Sequence, residues 1–171
     1  MMNLIVMVLA LICAVLAETV CPAANWMGQA KPPLVMCLVL YYAMCRPLPL
    51  MLGAVVFGGM LSDCLNAVFL GYSTICLAGV GLLARSYRDV VFSRRWFTHM
   101  LFGALAGMGM TLALYGLLWL ADSGMRTVYP GWVLMKVMGV GVYGLVLAPI
   151  VFRLMERLDR MVGNIKMETV E

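Results

Sequence analysis

Charge is what this sequence has least of. Lys, Arg, Asp and Glu make up 12% of its 171 residues, against about 25% in soluble domains. Hydrophobic residues make up 64%, so too few polar residues remain to cover the surface of a water-soluble fold. Histidine is scarcer still. His99 is the only one, which leaves no zinc or haem constellation. The cysteines at 13, 21, 37, 45, 64 and 76 form no CxxC and read as small buried hydrophobes. The eight acidic residues are sparse and scattered: Glu18, Asp63, Asp89, Asp122, Glu156 and Asp159, with Glu168 and Glu171 in the tail. Asp63 with Asp122 is the one pair that two outer loops could bring together, and it lacks the signature contexts of an aspartyl peptidase. These absences argue against an enzyme, a cofactor and a metal site. The net charge of +4 sits in short loops and a tail, which gives no basis for nucleic-acid binding.

What the sequence has is apolar runs of membrane grade. A helix needs about 20 residues to cross about 30 Å of hydrocarbon. The expected spans are Asn3 to Val20, Leu34 to Cys45, Leu48 to Asp63, Ala67 to Ala84, a segment within Trp96 to Ala121, and Trp132 to about Met155. The expected fold is therefore all-α, a polytopic transmembrane bundle of six spans. Residues 1–155 form the transmembrane domain and 156–171 a basic amphipathic cytoplasmic tail, with Leu154, Leu158, Met161 and Ile165 on one face. The run ending in Val15-Leu16-Ala17 is like a signal-peptide cleavage site. No Lys or Arg precedes it, and a retained first span is expected.

Breaks and anchors fit this layout. Pro33 opens the second span, and Arg46-Pro47 closes it, since proline drives the preceding residue out of the helical region. The second span is short, and a re-entrant hairpin over 34–62 is the alternative. Pro149 cannot donate to the carbonyl of Leu145 and marks a kink. Trp26 is an expected interfacial anchor, and Lys136, one turn inside Trp132, is expected to snorkel. Orientation follows the basic residues. Arg46, Arg85, Arg88, Arg94, Arg95, Arg153, Arg157, Arg160 and Lys166 fall on one side, and Lys31, Arg126 and Lys136 on the other. Both termini are then cytoplasmic.

The stretch Gly58 to Gly71 places Asp63 between two apolar spans, where ionisable groups are expensive. Asp63 is read either as a cap on the fourth helix, accepting from amides near Asn66, or as a contact to a partner. The small-residue pairs Ala54/Gly58 and Gly103/Gly107 let helices approach closely. Internal packing is the default for them, and partner docking the sharper alternative.

Pro33-Leu34-Val35, Tyr41-Tyr42-Ala43 with Arg46-Pro47, Gly59-Met60-Leu61-Ser62-Asp63 and Leu70-Gly71 together resemble the rod shape-determining MreD family. Val142 to Pro149, followed by a basic helix, is similar to that family's last span. The resemblance implies a non-enzymatic component of the bacterial elongation machinery in the cytoplasmic membrane. It implies binding to an MreC-like single-span coiled-coil protein, and through it a link between MreB filaments and peptidoglycan synthesis by RodA and its transpeptidase. Its motif residues are Pro33, Arg46, Pro47, Gly59, Asp63, Gly71 and Pro149. The family is similar in fold to the substrate-binding S components of energy-coupling-factor vitamin transporters, which are the alternative reading. Ala10 to Ala14 is like their docking pair, and a ligand would need the outer polar residues Glu18, Asp63, Asn66, Asp122, Arg126 and Lys136.

Overall fold

The structure, a computed structural model, describes residues 2–22, 29–66, 71–87, 96–121 and 130–161. Those residues form six α-helices and no β-strand: α1 (Met2–Val20), α2 (Leu34–Cys45), α3 (Leu48–Asn66), α4 (Tyr72–Ser86), α5 (Trp96–Ala121) and α6 (Pro130–Met161). Three of them, α3, α5 and α6, are long and apolar enough to cross a membrane, and α1 and α2 are shorter apolar helices. Trp26, residues 88–95, Asp122, Arg126, Ile165 and Lys166 lie outside the described residues.

The centre of the bundle is α2. Every residue from Val35 to Met44 is buried, as expected of a helix that is apolar on all sides and has no stripe to present to solvent. It packs against each of the other five helices, while α1 meets α3, α3 meets α4, α4 meets α5 and α5 meets α6. At 12 residues it is about 18 Å long, well short of the hydrocarbon thickness. Its ends are where the prolines put them. The carbonyl of Pro33 accepts from the Cys37 amide at 3.1 Å. Arg46 is extended, at φ −127 and ψ 159, as a residue before proline must be. The carbonyl of Pro47 then accepts from Leu50 and Met51 at 3.2 and 3.3 Å, which starts α3. Residues 34–62 thus belong to two separate helices.

One boundary shifts. The fourth helix begins at Tyr72 rather than Ala67, because Gly71 takes a left-handed conformation with φ +105 that a helix cannot run through. In the last helix the expected tail face, which includes Leu154 and Met161, points away from the bundle. Val151, Met155 and Asp159 are buried, whereas Leu154 and Met161 are exposed. The helix continues through Pro149 to Met161. Among the cysteines, Cys37 and Cys76 are buried, and Cys13, Cys21, Cys45 and Cys64 are exposed on a bundle surface that is otherwise apolar.

Small residues set the α5–α6 contact. A Cβ added at Gly103 would collide with the Cβ of Ala148 and lie 2.6 Å from the Gly144 carbonyl. One at Gly107 would lie 3.2 Å from the Val140 carbonyl. Gly58 faces Leu11 and Val35, each 3.1 Å from such a Cβ, and Ala54 is fully buried. Both small-residue pairs are consumed by internal packing, and the docking alternative for Ala54/Gly58 and Gly103/Gly107 gives way to it. Gly103→Leu is expected to lower both membrane accumulation and melting temperature, since overpacking costs about 1–3 kcal/mol and here the obstacle is backbone. Gly109 on the same helix has nothing within 4 Å of an added Cβ, so Gly109→Leu is the control. Equal melting of the two variants in detergent would contradict this packing.

Candidate functional site

Among the described residues no group of three His, Cys, Asp or Glu is placed to hold a metal ion. The polar groups within the bundle gather instead at two joints, and both use residues that the sequence singled out.

The first joint closes the α3–α4 turn. Asp63 lies in the last turn of α3 and is 1% exposed. Its Oδ2 accepts from the Gly71 amide at 2.7 Å, and its Oδ1 from the Ser73 amide at 3.1 Å. Gly71 is the N-cap residue of α4 and has no side chain to fill that role, so a carboxylate from the preceding helix does it. Asp63 meets the positive end of the α4 dipole as well. Gly59 lies one turn before it on α3, and an added Cβ would stand 2.6 Å from the Cα of Thr74. That absence of a side chain lets the start of α4 come within reach of Asp63. Gly59, Asp63 and Gly71 are therefore one device. The capping reading of Asp63 is the one the geometry fits, with the amides lying at 71 and 73 rather than near Asn66.

The second joint ties the C-terminal end of α2 to the end of α6. Arg46 Nη2 pairs with Asp159 Oδ1 at 2.7 Å, the side chains being 14% and 5% exposed. Tyr41 donates its hydroxyl to Asp159 Oδ2 at 2.6 Å, and its ring packs edge-on against Tyr42 and Phe152 at 5.7 and 5.4 Å. Arg85, at the end of α4, donates to the Arg46 carbonyl at 3.2 Å. The ends of α2, α4 and α6 thus meet through four polar side chains. Burial opposes the charge on Arg46, and the hydrogen bond and ion pair with Asp159 outweigh it, leaving the guanidinium pKa raised.

Of the remaining sequence candidates, Pro33 caps α2. Pro47 starts α3, and Pro149 lines a shallow apolar groove with Met100, Val146, Ile150 and Arg153. Asp159 was missed. Its only signal in the sequence is its place one turn after the apolar Met155, in a segment of alternating acidic and basic residues. No family model, curated protein or solved structure matches this chain.

Two outcomes are expected. Asp63→Asn keeps an acceptor for the α4 amides and should accumulate near the wild-type level. Asp63→Leu strands those amides and should lose about 0.5–2 kcal/mol and accumulate less. Equal levels of both variants on a membrane immunoblot would remove the capping role.

Asp159→Ala leaves Arg46 buried without its partner, a change that costs roughly 3–5 kcal/mol. The double variant Arg46→Met/Asp159→Leu should regain much of that loss, because well-packed apolar pairs replace buried ion pairs with little penalty. Melting in detergent reads this. A double variant no better than Asp159→Ala would show that the ion pair is not what the single change breaks.

Proposed function

We propose that the chain is a non-enzymatic scaffold of the bacterial cell-elongation complex, of the MreD type. It would cross the cytoplasmic membrane six times with both termini in the cytoplasm. The observation that carries the reading is where the residues of the resemblance fall. Tyr41, Arg46, Gly59, Asp63 and Gly71 all belong to the two joints that hold the bundle together. A shared motif of that kind marks a common architecture. It does not describe a reaction.

Orientation rests on the basic residues. Arg46 and Arg85 share one end of the bundle with the end of α6, and in this reading that end faces the cytoplasm. Asp63 then lies toward the outer leaflet. The described residues are almost all helical, and helices of this kind act through their lateral faces, so the partner is another membrane protein. The MreC-like single-span coiled-coil protein fits that role, with RodA, its transpeptidase and MreB reached through the complex. Gly103 and Gly107 are occupied by α6, which leaves other lipid-facing surfaces for the partner helix.

Purification of a tagged chain in mild detergent, followed by mass spectrometry of what accompanies it, tests this. The expected result is recovery of a single-span coiled-coil protein and no change in melting temperature with any vitamin. An S component would melt higher in the presence of its vitamin, by about 2.7 kcal/mol of stabilisation at a hundredfold excess over Kd. Recovery of energy-coupling ATPases, or such a shift, without a coiled-coil partner would reject the scaffold reading.

A further inference from the structure

Lys136 carries a positive charge on α6 that neither joint uses. Its Nζ donates to the Tyr115 hydroxyl at 3.1 Å. It also stands 5.4 Å from the centre of the Tyr115 ring and 5.2 Å from that of Trp132. The ion pairs among the described residues are Arg46–Asp159 and Arg160–Glu156, so no described carboxylate neutralises it.

Its depth follows from α6 itself. Residues 137–152 carry no charge, and Arg153 bounds the run at the other end. At 1.5 Å per residue that run is about 24 Å long, somewhat less than a hydrocarbon core of about 30 Å. With Arg153 at one boundary, Lys136 lies at or just inside the other. A lone ammonium at that level is expensive. The two rings offset part of the expense through cation–π attraction, and Trp132 and the exposed Trp119 are the residue type that settles at the headgroup level.

The hydrogen-bond chemistry is one-sided. The Tyr115 oxygen accepts from Lys136, so its own O–H is left to donate elsewhere, and the ammonium keeps two further N–H groups. Several donors, one of them charged, therefore gather at the hydrocarbon boundary, within a snorkelling side chain's reach of the lipid phosphates. We propose that Lys136 and Tyr115 form a binding site for a phosphate group, with Trp132 as its apolar wall. The phosphate comes from a phospholipid headgroup or from solution, and the site stands independently of the scaffold reading.

The test uses the full chain, stripped of lipid in detergent. Phosphatidylglycerol, a phosphate-free diglucosyl diacylglycerol and sodium phosphate are added in separate arms, with bound lipid counted by native mass spectrometry and melting followed in parallel. Retention of phosphatidylglycerol over the glycolipid, unaffected by sodium phosphate, supports the site and assigns it to lipid. Stabilisation by sodium phosphate supports it and assigns the ligand to solution. Lys136→Gln should weaken phosphate binding about tenfold or more, as loss of a charged hydrogen bond does, and Lys136→Arg should retain it. Tyr115→Phe, which keeps the ring and removes one donor, should weaken it less, and serves if Lys136→Gln fails to accumulate. Equal phosphatidylglycerol binding by wild type, Lys136→Gln and Tyr115→Phe would overturn the proposal. So would destabilisation of lipid-free protein by Lys136→Gln that Asp122→Asn reproduces, since Asp122 would then be the partner of Lys136.

Discussion

In an interior built from aliphatic side chains, burying a polar group is costly unless another polar group comes to it. Asp159 is the clearest case. It is 4% exposed, and both its oxygens are engaged, one by Arg46 and the other by Tyr41. Leaving a buried charge unpaired costs several kcal/mol, so the end of α6 cannot leave the end of α2 without a large penalty. Because α2 touches all the other helices, the position of α6 is passed on to the whole bundle.

The opposite joint works by a different logic. Among the described residues Asp63 pairs with no cation. It completes a helix whose own first residue has no side chain to offer, and glycine at 59 is what brings that helix close. Glu18 offers a partial parallel one hairpin earlier: it sits near the end of α1 beside the backbone of Val35, in the first turn of α2, while its Oε2 is buried without a hydrogen-bond partner. In both places an acid near the end of one helix lies beside the backbone that opens the next, but only Asp63 is satisfied by it at both oxygens. Ala14 stands to Glu18 as Gly59 stands to Asp63, a small residue one turn before the acid.

Much of this is legible in the residues, and the limits are physical. The bounds of α2 follow from Pro33 and Arg46-Pro47, because proline acts on its immediate neighbours. The start of α4 does not, since its cap arrives from eight and ten residues back and no local rule reaches that far. Small-residue spacing identifies faces that allow close approach but not what approaches. Gly103/Gly107 has the same signature whether the neighbour is α6 or another protein. The end of α6 shows the same limit: Leu154, Leu158 and Met161 mark an apolar face, but burial in the bundle follows Met155 and Asp159, and Asp159 is inside because Arg46 and Tyr41 are there.

The clasp also has a direction in time. Tyr41 and Asp159 are 118 positions apart, and a chain emerging from the ribosome at about 5–20 residues per second produces the second helix several seconds before the end of the sixth. During that interval Arg46 has no Asp159 and is best kept in water, at the membrane edge. The central helix is thus made before the helix that secures it and is among the last to be secured. Any chain broken off before residue 159 would carry an arginine with nowhere to settle, a visible mark of incompleteness for whatever removes unfinished membrane proteins.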